Sequence, residues 1–173
     1  MPPIPIQHKN FPIQHKTQTR ANDCWYACIQ MLRSHRLSTK TKPKGPGVRI
    51  HRNANTGIVW GKKLGGSDPQ FQNILKSNNL ITVPALLSDA KYIRNALDEY
   101  GPLMVLGDFF SICRIDFGHW IVITGTDAGE KIHIHDPAWI SFGGGERTVE
   151  SSWIRLKRYP NSPIIANDPT VWE

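Results

Sequence analysis

The sequence predicts an α+β fold in which helices come first along the chain and an antiparallel sheet follows. Apolar residues recur at helical spacing after Asn22, and the period changes to that of strands after Gly101-Pro102. Helices followed by a run of strands are typical of the α+β class. The 173 residues are 39% hydrophobic and 20% charged, which fits one packed domain and argues against a disordered chain.

Residues 1–17 are predicted to form an extended N-terminal arm or linker, ahead of one domain that spans residues 18–173. Residues 5–9 read Pro-Ile-Gln-His-Lys, and the same five residues recur at 12–16. Each proline biases the residue before it away from helix, so we expect an extended arm or an edge strand. The N-terminus lacks the apolar core and cleavage site of a signal peptide. If the arm is the tail of a linker, the domain is the end piece of a longer protein.

Three helices are predicted in the first half of the chain, over residues 22–36, 68–78 and 88–100. The first is expected to begin at Asn22 or Asp23, because both residues are favourable N-caps. The second has Pro69 at its first helical position, where a missing N–H costs nothing. The third is expected to be capped by Ser88 and to end at Gly101.

A strongly basic segment, residues 33–63, continues from the end of the first helix. Nine lysines and arginines lie between Asp23 and Asp68, without one carboxylate, in a chain of formal net charge +7. We interpret the segment as a solvated surface loop that borders the functional site and contacts acidic features of a substrate or inhibitor. Nucleic acid is not an expected partner, because no aromatic ladder or nucleic-acid-binding motif accompanies the charge.

The sheet is predicted from the strand-like runs that follow the third helix. Strands are expected over residues 103–107, 120–125 and 131–135, and residues 148–156 are expected to form a strand or a strand plus a helix. Residues 127–130 read Asp-Ala-Gly-Glu, which favours a hairpin turn between two of these strands. Such a hairpin brings the start of one strand and the end of the next to the same end of the sheet.

Cys24 is the candidate nucleophile. It lies at the predicted start of a helix, where unpaired backbone N–H groups and the helix dipole favour an anion. The thiolate is the reactive form of cysteine, and a neighbouring imidazolium is expected to complete its stabilisation.

His119, Asp136 and Gln18 supply the remaining groups for acyl transfer. His119 begins an apolar strand as the general base, and Asp136 ends the next strand, where its carboxylate is expected to accept the imidazole N–H and fix the tautomer. Gln18 precedes the cysteine by six residues. Its amide is expected to donate to an oxyanion together with the Cys24 backbone N–H.

This order of residues resembles the papain-like cysteine protease superfamily. It is most similar to the short bacterial branches, which are secreted effector or toxin proteases and the peptidases that trim double-glycine bacteriocin leaders. The likeness spans residues 18 to about 156, and its motifs are Gln18, Cys24-Trp25, Gly101-Pro102-Leu103, Gly118-His119 and Asp136-Pro137. The cysteine that larger members carry three residues before the nucleophile is replaced by Ala21, and the third member is Asp rather than Asn, so no substrate preference is implied.

The resemblance implies a papain-like fold, with an N-terminal helical half that carries the nucleophile and a C-terminal antiparallel β-sheet half. It also implies a cysteine endopeptidase that cleaves a protein substrate through a thioester acyl-enzyme. We expect the chain to be the toxin or effector part of a larger secreted protein, or one delivered into a target-cell cytoplasm, with an immunity or inhibitor protein as a further partner. The alternatives are a deamidase, transglutaminase or isopeptidase, or a non-catalytic module that binds an anionic partner through the basic segment.

No cofactor, metal or membrane span is expected. No apolar run approaches the roughly 18 residues that a membrane helix needs. The three cysteines, an odd number without dense spacing, argue against a disulfide framework. His133 and His135 alternate along a strand and, with Cys113, suggest a metal site, but without a metal-binding motif we interpret them as ordinary sheet residues. The remaining histidines outside the catalytic set are expected at the surface, namely His8, His15, His35 and His51.

Overall fold

The computed structural model describes residues 9–20, 23–38, 69–84, 87–109 and 118–171. Most of the basic segment and the first eight residues of the arm lie outside the described residues, as does Cys113. The predictions made for them therefore stay predictions.

The described helices and strands form an α+β fold, as the sequence predicts. The helices are α1 Cys24–Ser38, α2 Pro69–Ser77, α3 Ala90–Tyr100 and α4 Ser151–Lys157. The strands are β1 Lys9–Asn10, β2 Leu80–Val83, β3 Leu103–Gly107, β4 His119–Thr126, β5 Lys131–Asp136, β6 Gly145–Glu150 and β7 Ile164–Asn167. Single 3₁₀ turns cover Ile140–Phe142 and Pro169–Val171.

All strand pairs of the sheet are antiparallel, in the order β2-β7-β3-β4-β5-β6, with β1 also paired to β4. Strands β2 and β7 were not predicted. Each is only four residues long, and they pair with each other although they are far apart in the chain. A short apolar run has no distinctive period, so only the tertiary pairing makes these residues strands.

Both faces of the sheet are buried, because alternate residues of the central strands enter two different cores. Met104, Leu106, Trp120 and Val122 pack with α1 and α2. Leu103, Val105, Ile121 and Ile123 pack with α3 and α4. A strand that is covered on both faces is apolar throughout, and all eight residues of β4 are buried. Helix α1 is thereby fixed against β4.

The predicted ends of helix α3 are close to those observed, with one correction at its cap. Asp89, rather than Ser88, is the N-cap, and its Oδ1 accepts a hydrogen bond from the Tyr92 backbone N–H at 3.0 Å. Adjacent Ser and Asp are both good caps, so the sequence does not distinguish them. The helix ends at Gly101, whose φ of 75° lies in the region that favours glycine and whose N–H donates to the Leu97 carbonyl.

The predicted hairpin between β4 and β5 is confirmed, and it sets the geometry of the site. Asp127 closes the turn, because its Oδ1 accepts the backbone N–H groups of Gly129 and Lys131 at 2.9 Å each. The start of β4 and the end of β5 therefore lie at the same end of the sheet. His119 and Asp136 occupy these two positions.

The described part of the N-terminal arm packs against the domain. Strand β1 pairs with the end of β4, and the Phe11 N–H donates to the Thr124 carbonyl at 2.8 Å. Farther on, the Gln14 N–H donates to Ser34 Oγ on α1 at 2.9 Å. The division of the chain at residues 17 and 18 stays a prediction. Among the described residues, no helix has the length and apolar character needed to span a membrane.

Candidate active site

Cys24 is the first residue of α1, as the sequence predicts. The helix begins there because the Asp23 carbonyl accepts the first hydrogen bond of the helix, from the Ala27 N–H at 3.0 Å. The Thr19 hydroxyl donates a hydrogen bond to Asp23 Oδ2 at 3.2 Å. Since α1 packs against β4, the Cys24 thiol reaches the ring of His119 and forms a hydrogen bond with it.

His119 is held between the thiol and a carboxylate. Its Nε2 lies 2.7 Å from Asp136 Oδ1, and both side chains are buried. A carboxylate only accepts hydrogen bonds, so Nε2 carries a proton and Nδ1 is the ring nitrogen left for Cys24. The structure thus brings the predicted nucleophile, base and orienting acid together in one line.

The surroundings of His119 favour its protonated form. Burial is the largest single effect on its pKa and lowers it, but the hydrogen bonds to Asp136 and Cys24, with the charges of both groups, outweigh burial. Together they raise the pKa of His119 from 6.5 to about 9. At neutral pH the ring is therefore an imidazolium, which is the partner that a thiolate nucleophile requires.

Three donors fix the Asp136 carboxylate. Oδ1 accepts from His119 and from the Ala138 backbone N–H at 3.0 Å, and Oδ2 accepts from Arg147 Nη2 at 3.1 Å. The Arg147 guanidinium also lies over the Trp153 ring, 5.1 Å from its centroid. Sequence reasoning missed Arg147. It lies on the half-buried face of β6. A charged side chain on that face needs a partner of opposite charge, and this requirement was the signal that could have identified it.

Substituting Asp136 by Asn is expected to lower kcat/KM by about 10⁴-fold, because an amide presents the wrong hydrogen-bonding pattern to the His119 tautomer. Steady-state kinetics on a cleaved peptide measure this loss. Asp108→Asn is the matched control, since Asp108 is half-exposed and pairs only loosely with Lys157 at 3.8 Å. Comparable losses in the two variants would contradict a special role for Asp136.

Gln18 is brought to the same end of the sheet. Its backbone N–H donates to the Pro137 carbonyl at 2.7 Å, next to Asp136, and its side chain is buried. One N–H of the side-chain amide donates to the Arg20 carbonyl at 3.0 Å. The predicted oxyanion role requires the second N–H of that amide to point toward the space beside the Cys24 backbone N–H.

Gln18→Ala is expected to lower kcat about 100-fold with little change in KM, which is the usual loss for one oxyanion donor. Gln14→Ala is a suitable control, because Gln14 is an exposed glutamine four residues earlier in the chain. A Gln18 variant that chiefly raises KM, or chiefly lowers the melting temperature, would instead make Gln18 a structural residue.

Three further cysteine and histidine side chains lie on α1 and on the arm, outside the catalytic set. Cys28, one turn after Cys24, is fully buried, and burial, followed by the charges of Cys24 and Asp136, raises its pKa well above the ordinary value. It is a core residue. The surface position predicted for His15 and His35 is wrong, because the arm covers α1 and β5 and leaves both rings half-buried.

His15 and His135 form a second polar cluster near the catalytic residues. Their rings are 5.6 Å apart, and Glu146 lies beside them. Burial is the largest effect on the pKa of each ring and lowers both values. Among the residues that the structure describes, these three side chains have the ligand types and the spacing to hold a metal ion.

Comparisons with known proteins agree with the geometry. Among the solved structures that match is a double-glycine-motif protease from an AMS/PCAT transporter in complex with the leader peptide, with a TM-score of 0.50 and 15% identity over 93% of this chain and 96% of that one. That likeness confirms the papain-like fold. A search of curated proteins found no match. The family model described as papain-like cysteine protease AvrRpt2 matches residues 5–143. Since this match covers most of the chain, including Gln18, Cys24, His119 and Asp136, the chain belongs to that family and is a cysteine peptidase.

Proposed function

We propose that the chain is an endopeptidase that cleaves a protein substrate through a thioester acyl-enzyme. The observation that carries the proposal is the position of His119, which bonds to the Cys24 thiol on one side and to Asp136 Oδ1 at 2.7 Å on the other. This arrangement places a sulfur nucleophile next to a proton donor, the protonated ring of His119. Both are needed to break a peptide bond.

The reaction follows from this geometry in two steps. The Cys24 thiolate attacks the peptide carbonyl, and the resulting oxyanion lies against the Cys24 backbone N–H and the Gln18 amide. His119 then gives its proton to the leaving amine, and the C–N bond breaks to leave a thioester. A water molecule, deprotonated by the neutral imidazole, attacks the thioester and releases the carboxylic acid and the thiolate.

We also propose that the peptidase acts as an effector or toxin, as part of a larger protein that is secreted or delivered into a target-cell cytoplasm. The resemblance of its motifs to the short bacterial effector proteases supports this role. An inhibitor or immunity protein that covers Cys24 is then an expected partner. The test is production of the chain inside candidate target cells, where wild type, but not Cys24→Ala, is expected to impair growth or trigger a response.

The test of peptide-bond cleavage is a map of new protein N-termini in a proteome treated with wild type or with Cys24→Ala. Wild type is expected to create a small set of new N-termini that share residues around the cut, and the variant none. Ammonia release or new isopeptide bonds without new N-termini would contradict proteolysis and favour the deamidase or transglutaminase alternatives.

Activity is expected to fall as the pH rises through about 9, where the His119 imidazolium loses its proton. The same proton stabilises the fold, because the pKa of His119 is higher in the folded state than its ordinary value of 6.5. That stabilisation is complete below pH 6.5 and is lost as the pH rises through about 9.

The profile is checked by measuring kcat/KM and melting temperature in parallel across this pH range. Asp136→Asn is expected to move the alkaline limb of residual activity to lower pH, because the variant removes one hydrogen bond and one charge that favour the imidazolium. An alkaline limb that stays in place in this variant would show that another group controls it.

A further inference from the structure

Three side chains from three separate elements converge where the N-terminal arm crosses the sheet. His15 comes from the arm, His135 from β5 and Glu146 from β6, and the last two are directly paired across the strands. One ligand atom from each lies within 4.8 Å of the others. The cluster is thus assembled by the tertiary fold, and no sequence motif indicates it.

Three of the four imidazole nitrogens of this cluster are buried without a hydrogen-bond partner in the part of the chain that the structure describes. Both ring nitrogens of His15 and the Nδ1 of His135 are buried without a hydrogen bond. The His135 side chain is only 8% exposed, and its Nδ1 is 3.9 Å from Glu146 Oε1, which is too long for a hydrogen bond. Buried polar groups are normally satisfied, so three orphaned imidazole nitrogens at one place indicate a missing ligand.

We propose that His15, His135 and Glu146 bind a Zn²⁺ ion. Two imidazoles and one carboxylate are a known zinc ligand set, with a fourth position open to water, whereas Mg²⁺ and Ca²⁺ prefer oxygen ligands. Zinc bonds of about 2.0–2.1 Å place tetrahedral ligand atoms about 3.3 Å apart. The observed 3.9 Å contact is near that value, and Glu146, 64% exposed, is free to turn inward.

The ion would fasten the arm to the sheet beside the catalytic residues without touching them. His15 lies three residues before Gln18, whose N–H bonds to Pro137, and His135 directly precedes Asp136. Zinc therefore holds both segments that carry these site residues. Its role is to position the arm, and it does not depend on which bond the enzyme cleaves.

In the experiment, Zn²⁺ is titrated into the full chain carrying Cys24→Ser, and binding is measured by isothermal titration calorimetry. The serine removes the thiolate, which would otherwise compete as a zinc ligand together with His119. One ion per chain is expected to bind and to raise the melting temperature. Co²⁺ at the same site is expected to give the visible absorption of a four- or five-coordinate ion, without a thiolate charge-transfer band.

His15→Ala and Glu146→Gln, each in the Cys24→Ser background, are expected to weaken Zn²⁺ binding by more than about 100-fold, since loss of even an outer partner costs about 10- to 100-fold. The Glu146 variant keeps the size of an exposed side chain, so it reports on binding rather than on folding. His133→Gln is the matched control, because His133 lies on the same strand outside the cluster, and it is expected to bind like the parent.

Three results would overturn the zinc site. The first is no saturable binding of one ion in the Cys24→Ser chain. The second is unchanged affinity in either the His15 or the Glu146 variant. The third is a thiolate charge-transfer band with Co²⁺, which would move the ion to Cys28 or Cys113.

Discussion

Cys24→Ala is expected to abolish proteolysis, with a loss in kcat of more than about 10⁴-fold, while the fold stays intact. Loss of the nucleophile of a triad removes the covalent route entirely, and what remains comes from binding and the oxyanion donors. The thiol is small and lies at the first turn of α1, so its removal leaves only a small cavity. Turnover of a peptide substrate and the circular dichroism spectrum measure the two expectations.

Cys28→Ala is the matched control for this variant. Cys28 lies one turn later on the same face of α1 and is fully buried in the same core cluster. Its substitution is expected to cost about 1 kcal/mol of stability and to leave kcat close to that of wild type. Full activity in Cys24→Ala, or equal losses in the two variants, would rule out Cys24 as the nucleophile.

The elements that the sequence predicts well are those that carry a local physical signal. Helix α3 has buried apolar residues at helical spacing, a pair of capping residues before it, and Gly101 at its end. The hairpin carries Asp127 and a glycine at positions that suit a turn. Strands β2 and β7 were missed because each has only four residues, most of them apolar, and becomes a strand only by pairing with the other. No local pattern encodes such a distant pairing.

The same distinction separates the predicted from the unpredicted parts of the site. His119 and Asp136 come together because they flank one hairpin, so the predicted hairpin was sufficient to expect their hydrogen bond, which is 2.7 Å long. Arg147 reaches Asp136 Oδ2 only through the register of β5 and β6, which places Gly145 opposite Asp136. The path of the arm, which buries His15, depends on contacts with two elements far along the chain.

His119→Asn is expected to lower kcat/KM by about 10⁴-fold or more, nearly as much as loss of the nucleophile. The asparagine amide is able to donate to Asp136, so the buried carboxylate keeps a partner and the fold is expected to survive. What disappears is the imidazolium beside Cys24 and the proton for the leaving amine. Alkylation of Cys24 at about pH 6 is therefore expected to slow as well, since the thiolate loses its counter-ion.

His133→Asn is the matched control, because His133 is a half-buried histidine of β5 outside the site and its loss should leave both rates unchanged. A decisive measurement is the double variant Cys24→Ala with His119→Asn. Residues that act as one unit give strongly non-additive losses, so the double variant is expected to be no slower than Cys24→Ala alone. If the two losses instead multiplied, each residue would contribute independently, and the hydrogen bond between thiol and imidazole would not be the source of catalysis.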